Sequence, residues 1–261
     1  MAKSRIGEIY KLLEERKTIT TDELSEMFNI SSSTIRRDLA VMEEKHMVDR
    51  FYGGVRISEY QSKEPSLLVK NFYNNDCKKA IARFAASMIK DGDVVYIDGG
   101  TTTSEIISYI GRKDILIVTQ AFNLFEKIAD LKAKCLILTG YLKKNTQMII
   151  SKETVEQVSN INFDIAFIGG NSVHAVFGYS AADDMEAVLK NAVIQHSKRS
   201  FVLADSTKFK KLTSPQFAKL EECGVITDEL VDGFDYSRIP EVYYFEKDNY
   251  TTGKLFNKEN E

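Results

Sequence analysis

Six short apolar runs constrain the fold of this chain more than any other feature of its sequence. They are Val94–Ile97, Ile115–Val118, Cys135–Leu138, Ile165–Ile168, Phe201–Ala204 and the weaker Val225–Ile226. Between several of them lie stretches with helical spacing, at Ala121–Leu131, Lys152–Ser159 and Asp183–His196. Strands that are buried on both faces and alternate with helices are typical of a largely parallel sheet. We therefore predict an α/β domain over residues 76–261.

The first 58 residues follow a different pattern, which predicts a separate domain. An amphipathic helix opens the chain, and a capping box at Thr20–Glu23 starts a second, short helix. A third helix is expected to run from Ser31 or Ser32 to about Lys45. Its apolar side chains recur at helical spacing and are expected to face inward, namely Ile35, Leu39 and Met42.

A β-hairpin is expected after the third helix. The β-prone residues on both sides of Gly53-Gly54 predict two strands joined by a Gly-Gly turn, over residues 48–57. Three short helices followed by a hairpin form a winged helix-turn-helix, so residues 1–58 are predicted to be a DNA-binding domain. Residues 59–75 are polar and broken by Pro65, and we expect them to be a linker.

The third helix and the hairpin carry the side chains that are expected to contact DNA. These are Ser32, Ser33, Thr34, Arg36, Arg37, Arg50 and Arg56. The three hydroxyl residues lie at a helix N-terminus, which offers free N–H groups to a phosphate. The helical arginines can reach base edges in the major groove, and the hairpin arginines can neutralise flanking phosphates. Paired arginines on a helix are often only a solvated face, but a Ser-rich helix start and a Gly-Gly hairpin favour DNA binding.

A segment rich in glycine and threonine follows the first predicted strand of the larger domain. It reads Asp98-Gly99-Gly100-Thr101-Thr102-Thr103 and precedes a helix that we expect to begin near Glu105. Glycines let the backbone approach a ligand, hydroxyl groups donate hydrogen bonds, and a helix N-terminus favours an anion. The segment therefore suits a phosphate, although a capped turn alone would explain the same residues. No Gly-Lys-Ser/Thr follows, which argues against a nucleotide triphosphatase.

Charged side chains occur in two further segments of the larger domain. Asp205 and Lys208 follow a predicted strand, where the lysine suits phosphate or sugar oxygens and the aspartate suits sugar hydroxyls. Glu186 and Lys190 are spaced i, i+4 on a predicted helix. A surface ion pair explains Glu186, whereas Lys190 is equally suited to a ligand contact. Open α/β sheets bind ligands at the carboxyl ends of their strands, which is where the first of these two segments lies.

The N-terminal segments resemble a known family signature. Thr34-Ile35-Arg36-Arg37-Asp38-Leu39, followed by Arg50-Phe51-Tyr52-Gly53-Gly54-Val55, is similar to the signature of the DeoR family of bacterial transcriptional regulators. That family usually has a histidine before the two wing glycines, where this chain has Tyr52. The resemblance implies that the partner of this domain is double-stranded operator DNA, and Tyr52 joins the expected DNA contacts.

The larger domain resembles the DeoR sensor domain. The similar segments are Asp98–Thr103, Asp164–Gly169, Glu186 with Lys190, Ala204–Phe209 and Thr227-Asp228. That sensor is related in fold to ribose-5-phosphate isomerase, and family members mostly respond to phosphorylated sugars. The resemblance implies that the effector contacts are Asp98, Gly99, Gly100, Thr101, Thr102, Thr103, Lys190, Asp205 and Lys208. The family often has paired glycines where this chain has Thr139-Gly140-Tyr141, a difference that bears on which sugar fits.

Together these features predict a repressor of a carbohydrate-utilisation operon, controlled by a phosphorylated sugar and acting as a homodimer or homotetramer.

The alternative is a sugar-phosphate isomerase-like enzyme with an added DNA-binding head. In that enzyme Asp98, Asp205 and Lys190 would be the acid-base groups. The loop Gly169-Gly170-Asn171 lacks the acidic residues expected of a working isomerase, which favours the repressor.

Net charge and cysteine usage narrow the possible partners and the cellular compartment of the protein. The formal net charge of −3 is not that of a strongly basic protein, so DNA binding depends on where the arginines lie. No secretory signal and no apolar run of about 18–20 residues is apparent in the sequence, so no membrane association is expected. The three cysteines have no ligand spacing, which predicts a reduced cytoplasmic protein without a metal or cofactor.

Overall fold

The computed structural model of the chain describes residues 2–44, 47–57, 67–70, 74–246 and 249–256. The chain divides into two compact units, Met1–Asn75 and Asp76–Glu261. The predicted linker, residues 59–75, falls mostly outside the described residues, so its extent stays a prediction. Lys45, the predicted end of the third helix, also lies outside them. No helix in the described ranges is long and apolar enough to cross a membrane.

The first unit is a small helical domain with a three-stranded antiparallel sheet. Its elements are α1 (Ala2–Arg16), β1 (Thr18–Thr20), α2 (Thr21–Phe28), α3 (Ser32–Glu44), β2 (Val48–Phe51), β3 (Gly54–Ile57) and α4 (Leu67–Lys70). The strand order is β1-β3-β2. The buried core draws on the first three helices and the sheet, through Ile6, Ile9, Leu13, Ile19, Leu24, Ile35, Leu39, Met42, Val48 and Val55. This is the predicted winged helix-turn-helix.

Local hydrogen bonds set the orientation of α3. The predicted capping box is present, since the Thr20 hydroxyl accepts from the Glu23 N–H and the Glu23 carboxylate accepts from the Thr20 N–H. Asn29 ends α2 in the left-handed conformation, with φ of 50°. The Arg5 Nε donates to the Asp38 carboxylate over 2.6 Å and so joins α1 to α3. These contacts fix both ends of α2 and hold α3, the helix that is expected to contact DNA, at Asp38 in its middle.

The wing turn lies one residue earlier than predicted. The two turn residues are Tyr52 and Gly53, and Gly53 has φ of 83°, which favours glycine. Gly54 already belongs to β3, and a Cβ atom there would lie 2.9 Å from the Ile19 carbonyl oxygen. The first glycine is thus needed for backbone conformation, whereas the second is needed for the close approach of β1.

The second unit contains five helices and thirteen strands in its described residues. The helices are α5 (Asn75–Ser87), α6 (Thr101–Ser104), α7 (Phe125–Ala129), α8 (Lys152–Ser159) and α9 (Asp184–Gln195). The strands are β4 (Val94–Ile97), β5 (Leu116–Thr119), β6 (Lys134–Ile137), β7 (Tyr141–Lys143), β8 (Met148–Ile150), β9 (Ile165–Gly169), β10 (Ser172–His174), β11 (Gly178–Ser180), β12 (Ser200–Leu203), β13 (Gln216–Ala218), β14 (Gly224–Ile226), β15 (Val242–Glu246) and β16 (Asn249–Leu255). Short 3₁₀ helices occupy Glu105–Tyr109, Phe122–Leu124, Ser206–Lys208 and Leu220–Glu222.

A single eight-stranded sheet organises this unit. Its strand order is β16-β15-β14-β12-β9-β4-β5-β6, and every neighbouring pair is parallel except β15 with β16. The six predicted strands are β4, β5, β6, β9, β12 and β14, so the predicted α/β class is confirmed. The hairpin β7-β8, the small sheet β10-β11-β13 and the pair β15-β16 were not predicted.

The inner strands of the large sheet are buried on both faces, which explains their continuous apolar runs, whereas the edge strand β6 is partly exposed. Along β4, Val95 and Ile97 belong to the apolar cluster on one face, whereas Tyr96 belongs to the cluster on the other. Side chains alternate between the faces of a strand, so a strand covered on both sides needs apolar residues at every position. The parallel strands bring their carboxyl ends to one edge, and this edge holds the polar segments discussed below.

The two wing glycines are expected to respond differently to substitution. Gly53→Asn keeps a residue that tolerates positive φ and should lower the stability of the unit by less than about 1 kcal/mol. Gly54→Ala places a methyl group against the Ile19 carbonyl and should lower it by about 1–3 kcal/mol. Hydrogen exchange of the β1 and β3 amides in the full chain measures both effects. Equal protection in the two variants would contradict a packing role for Gly54.

Candidate DNA-binding surface and effector site

The two faces of α3 differ as predicted. Ile35, Leu39 and Met42 are buried, whereas Ser33, Arg36, Arg37 and Ala40 are exposed. The intervening Asp38 is buried and engaged with Arg5. Within the described residues no carboxylate pairs with the two exposed arginines. Their guanidinium groups are therefore available to a partner outside the chain.

Hydroxyl groups cluster at the start of α3. Ser32, Ser33 and Thr34 form its first turn, in which the N–H groups of Ser32 and Ser33 precede the helical hydrogen bonds, whereas the Thr34 N–H donates to the Ser31 carbonyl over 2.9 Å. The Ser31 hydroxyl lies 2.9 Å from that of Ser33 and 3.0 Å from that of Thr34. Backbone N–H groups and hydroxyls thus occur together at this helix end, an arrangement that suits a phosphate oxygen.

The wing presents two arginines and an aromatic ring to solvent. Arg50 lies 3.5 Å from the Glu43 carboxylate, and Arg56 lies 3.9 Å from that of Asp49. Exposed pairs at such distances contribute little to stability, so a phosphate can replace the carboxylate at small cost. Tyr52 at the turn is fully exposed. All eight predicted DNA contacts therefore lie on α3 or the wing, on the first unit.

The most connected side chain at the carboxyl edge of the large sheet is that of Asp98. It is 1% exposed and follows β4 directly. One carboxylate oxygen accepts from the Gly99 N–H over 2.8 Å and from Gln120 Nε2 over 2.6 Å. The other accepts from the Gly169 N–H over 2.8 Å and lies 3.4 Å from Lys190 Nζ. Asp98 thus joins the ends of three neighbouring strands, β5, β4 and β9.

Glu186 and Lys190 are buried, which corrects the expectation of a surface ion pair for Glu186. They are 2% and 4% exposed, because α9 packs this face onto the domain. Lys190 Nζ donates to the Gly169 carbonyl over 2.7 Å and lies 3.8 Å from the Glu186 carboxylate. A buried charge needs such partners, since its desolvation is otherwise costly. The pair therefore belongs to the interior of the site.

The buried network extends beyond the residues that the sequence indicated. Tyr96 donates its hydroxyl proton to Gln120 over 2.8 Å, and burial holds the pKa of Tyr96 well above its usual value. On the other side, Lys143 of β7 donates to Glu186 over 2.6 Å and also to Asp183. The chain of contacts thus runs from inside the sheet to the hairpin β7-β8.

The sequence contained a signal for only one of these added residues. Gln120 comes directly after β5 and two residues after the predicted strand Ile115–Val118, where a buried polar side chain commonly faces a site. Lys143 lies on a hairpin that the sequence did not indicate, so its approach to α9 could not be anticipated.

The helix after β4 begins earlier than predicted. It starts at Thr101, with Gly100 at the N-cap, and becomes a 3₁₀ helix from Glu105. Thr101, Thr102 and Thr103 are all buried, and the Thr103 hydroxyl donates to the Asp98 carbonyl over 2.7 Å. The threonines therefore form the first turn of the helix and not a loop before it. Their N–H groups thus join those that can face an anion.

Asp205 and Lys208 follow β12, which is separated from β4 by β9, and form a separate cluster. Asp205 follows β12, is 3% exposed, and caps a 3₁₀ helix by accepting from the N–H and hydroxyl of Thr207. Lys208 is half-buried. Asp228, which follows β14, accepts from the N–H and hydroxyl of Ser206. Like Asp98, this cluster lies at the carboxyl edge of the large sheet.

The described residues contain no group of three or more histidine, cysteine or carboxylate side chains arranged to hold a metal ion. The edge instead combines one buried lysine, one half-buried lysine and the first turn of a helix. This set of donors can bind an anion and the hydroxyl groups attached to it.

Removing the buried lysine is expected to destabilise the second unit. Lys190→Met leaves Asp98 without its ammonium partner and Glu186 with Lys143 alone, and breaking a buried pair costs about 3–5 kcal/mol. Lys198→Met is the control, because that side chain is 73% exposed and its pair with Asp164 should contribute less than about 1 kcal/mol. Urea unfolding of the full chain, followed by tyrosine fluorescence, compares the two. Similar midpoints would contradict a buried, charge-dependent network.

Two family profiles match the chain. The DeoR-like helix-turn-helix domain matches residues 5–61, and the DeoR C terminal sensor domain matches residues 73–229. An uncharacterized HTH-type transcriptional regulator, FruR, from Bacillus subtilis is 34% identical, over 83% of this chain and 87% of its own. The lactose phosphotransferase system repressor of Staphylococcus epidermidis is 31% identical, over 86% of this chain and 91% of its own.

Among solved structures, ribose 5-phosphate isomerase A from Methanocaldococcus jannaschii aligns with 53% of this chain and 56% of its own. The identity is 20% and the TM-score 0.40. A likeness this distant supports no statement about ligand or chemistry.

Proposed function

This chain belongs to the DeoR family of transcriptional regulators, and from this we infer that it represses a carbohydrate-utilisation operon under the control of a phosphorylated sugar. The relatives at this level of identity are named regulators and repressors, so the chain is a regulator and not an isomerase. One of them is named a repressor of a lactose phosphotransferase system, which supports a sugar operon as the target.

Operator recognition is assigned to α3 and the wing. Arg36 and Arg37 project from the exposed face of a helix whose other face is the core of the unit. In this proposal they contact base edges, while Arg50, Tyr52 and Arg56 contact the sugar-phosphate backbone. Ser32, Ser33 and Thr34 bind a phosphate at the helix start.

Effector binding is assigned to the carboxyl edge of the large sheet. The observation that carries this assignment is the buried pair of Asp98 and Lys190 beside the first turn of α6. In the proposal the phosphate lies against the N–H groups and hydroxyls of residues 99–103, and Lys208 neutralises part of its charge. Asp98, Lys190 and Asp205 orient the sugar hydroxyls.

Control of DNA binding follows from a population shift in a homodimer or homotetramer. Two recognition helices about 34 Å apart match one turn of DNA. The effector favours a conformer in which that spacing is lost, and a coupling free energy of about 1–3 kcal/mol changes operator affinity by about 5- to 150-fold.

Arg37→Ala is expected to weaken operator binding and to leave the second unit unaffected. The probe is a set of duplexes selected from a random library by the wild-type chain. Loss of an arginine contact to a base should cost about 1–3 kcal/mol, or about 5- to 150-fold in affinity. Fluorescence anisotropy at fixed salt measures the change.

The matched control for that experiment is Lys11→Ala, which removes a positive charge from an exposed position on α1. It should change affinity far less than Arg37→Ala. An equal loss in both variants would mean that net charge matters and that α3 is not the recognition helix.

A thermal-shift screen tests the effector. Sugar phosphates are compared with the same unphosphorylated sugars, and a ligand at 100 times its Kd should stabilise the second unit by about 2.7 kcal/mol. Lys208→Ala should reduce the shift, because it removes a charge that the phosphate uses. Lys152→Ala, at an exposed position on α8, should not. Equal shifts from the unphosphorylated sugars would overturn the assignment of a phosphate subsite.

A further inference from the structure

The hairpin β7-β8 leaves one strand edge of the second unit open. Strand β8 is paired on both sides, with β7 along one side and the segment after β5 along the other. On that other side the Ile149 N–H donates to the Gln120 carbonyl over 2.8 Å, and Met148 forms an antiparallel bridge with Ala121. Among the described strands β7 pairs with β8 only. The outer edge of β7 can therefore accept a further strand.

The side chains at this edge are apolar and exposed. Tyr141 is 79% exposed and Leu142 is 45% exposed. Neighbouring residues of a strand face opposite sides, so β7 exposes an apolar side chain on each face. Edge strands are commonly protected by proline or charge, but the ammonium group of Lys143 is engaged with Asp183 and Glu186. Strand β7 thus has the features of a strand that is covered in the assembled protein.

The backbone of Leu142 is directed towards the open edge. Opposed residues in an antiparallel pair alternate between those that exchange hydrogen bonds with each other and those that do not. Leu142 lies opposite Ile149, whose N–H points to Gln120 and thus away from β7. The N–H and C=O of Leu142 therefore point away from β8, where another strand can pair with them.

A second copy of β7 fits this edge when it runs antiparallel about a two-fold axis at Leu142. Each Leu142 then donates to, and accepts from, the same residue of the other copy. In this register Tyr141 lies opposite Lys143 of the second copy, and Lys144 lies opposite Gly140. Like charges directly opposite each other destabilise a sheet, and this register keeps the lysines apart.

The charges at the two ends of β7 are complementary in the same arrangement. The strand ends at Lys143 and continues into the exposed Lys144. At its other end the Thr154 hydroxyl donates to the Thr139 carbonyl over 2.7 Å, so the first turn of α8, with the exposed Glu153, lies beside the start of β7. An antiparallel partner brings its Lys144 towards Glu153, and the two-fold axis repeats this contact.

We propose that β7 is an interface between two copies of this chain, joined in one continuous sheet of strand order β8-β7-β7-β8. The choice of a second copy rests in part on the proposed function, because an operator that contacts two recognition helices needs two copies. It rests also on the match of β7 with itself in backbone pairing, apolar contact and charge. The interface would lie close to the candidate effector site, since Lys143 of the same strand donates to Glu186.

Leu142→Asp in the full chain tests the interface. It places two carboxylates at the axis and should raise the dissociation constant of the assembly by at least about 30-fold, as expected for a central interface residue. The matched control is Leu136→Asp, because Leu136 is 42% exposed on β6, the outer strand of the large sheet. Sedimentation velocity over a concentration series measures both. An equal loss in the two variants, or a loss in the control alone, would overturn the proposal.

An exchange of charges tests the register. Lys144→Glu and Glu153→Lys should each weaken the assembly by about threefold or more, because like charges then meet across the interface. The double variant should restore the affinity, and misfolding of either single variant could not be repaired in this way. A double variant that assembles no better than the single variants would contradict the antiparallel register.

A disulfide cross-link reports the contact directly. The Cα atoms of a hydrogen-bonded antiparallel pair are about 5.5 Å apart, which suits a disulfide. After mild oxidation, Leu142→Cys should run as a covalent dimer on a non-reducing gel. The wild type, which contains Cys77, Cys135 and Cys223, and the variant Leu136→Cys should not. Failure of Leu142→Cys to cross-link in a protein that still assembles would exclude β7 as the interface.

The outcomes separate this proposal from the proposed function. If the wild type assembles and the Leu142 variants assemble equally well without cross-linking, β7 is not the interface and the proposed function stands. If the wild type stays monomeric at every concentration, the homo-oligomer of the proposed function fails and the interface fails with it.

Discussion

The carboxylate of Asp98 is the contact on which the carboxyl edge of the large sheet depends. It accepts from two backbone N–H groups and one side-chain amide, on segments that follow three different strands, and it faces the ammonium group of Lys190. Buried ion pairs contribute little net stability, because desolvation offsets the attraction. The pair instead fixes positions within the free protein. It holds the glycine segment, the end of β9 and helix α9 against one another.

From this centre the polar contacts continue in both directions. Gln120 joins Asp98 to Tyr96 inside the sheet, and Glu186 joins Lys190 to Lys143 on the hairpin β7-β8. The same hairpin carries Met148, which approaches Gly99 after β4 and forms an antiparallel bridge with Ala121 after β5. The hairpin is thus held by the ion pairs of Lys143 on one side and by the packing of Met148 on the other. Through Lys143 and Glu186 the hairpin also contacts the helix that contains Lys190.

How much could be predicted from the sequence depended on the range of the interaction. The six strands and the capping box at Thr20 were predictable, because apolar runs and a four-residue motif are local signals. Helix α6 was placed four residues late, since threonines have low helix propensity and its start is set by contacts with Asp98. The burial of Glu186 and the role of Lys143 depend on packing between α9 and a hairpin about 40 residues away, which no local pattern reports.

The difference between the buried and the exposed face of α3 has a consequence for how such regulators diversify. Its inner face and Asp38 hold the fold, whereas Ser33, Arg36, Arg37 and Ala40 make no contribution to the core. Substitutions at those four positions are therefore nearly free of folding constraints. Since α3 is proposed to read the operator, one copy of a duplicated gene can reach a new operator through a few such changes while its second unit stays unchanged. A change in which genes are regulated then requires no change of fold.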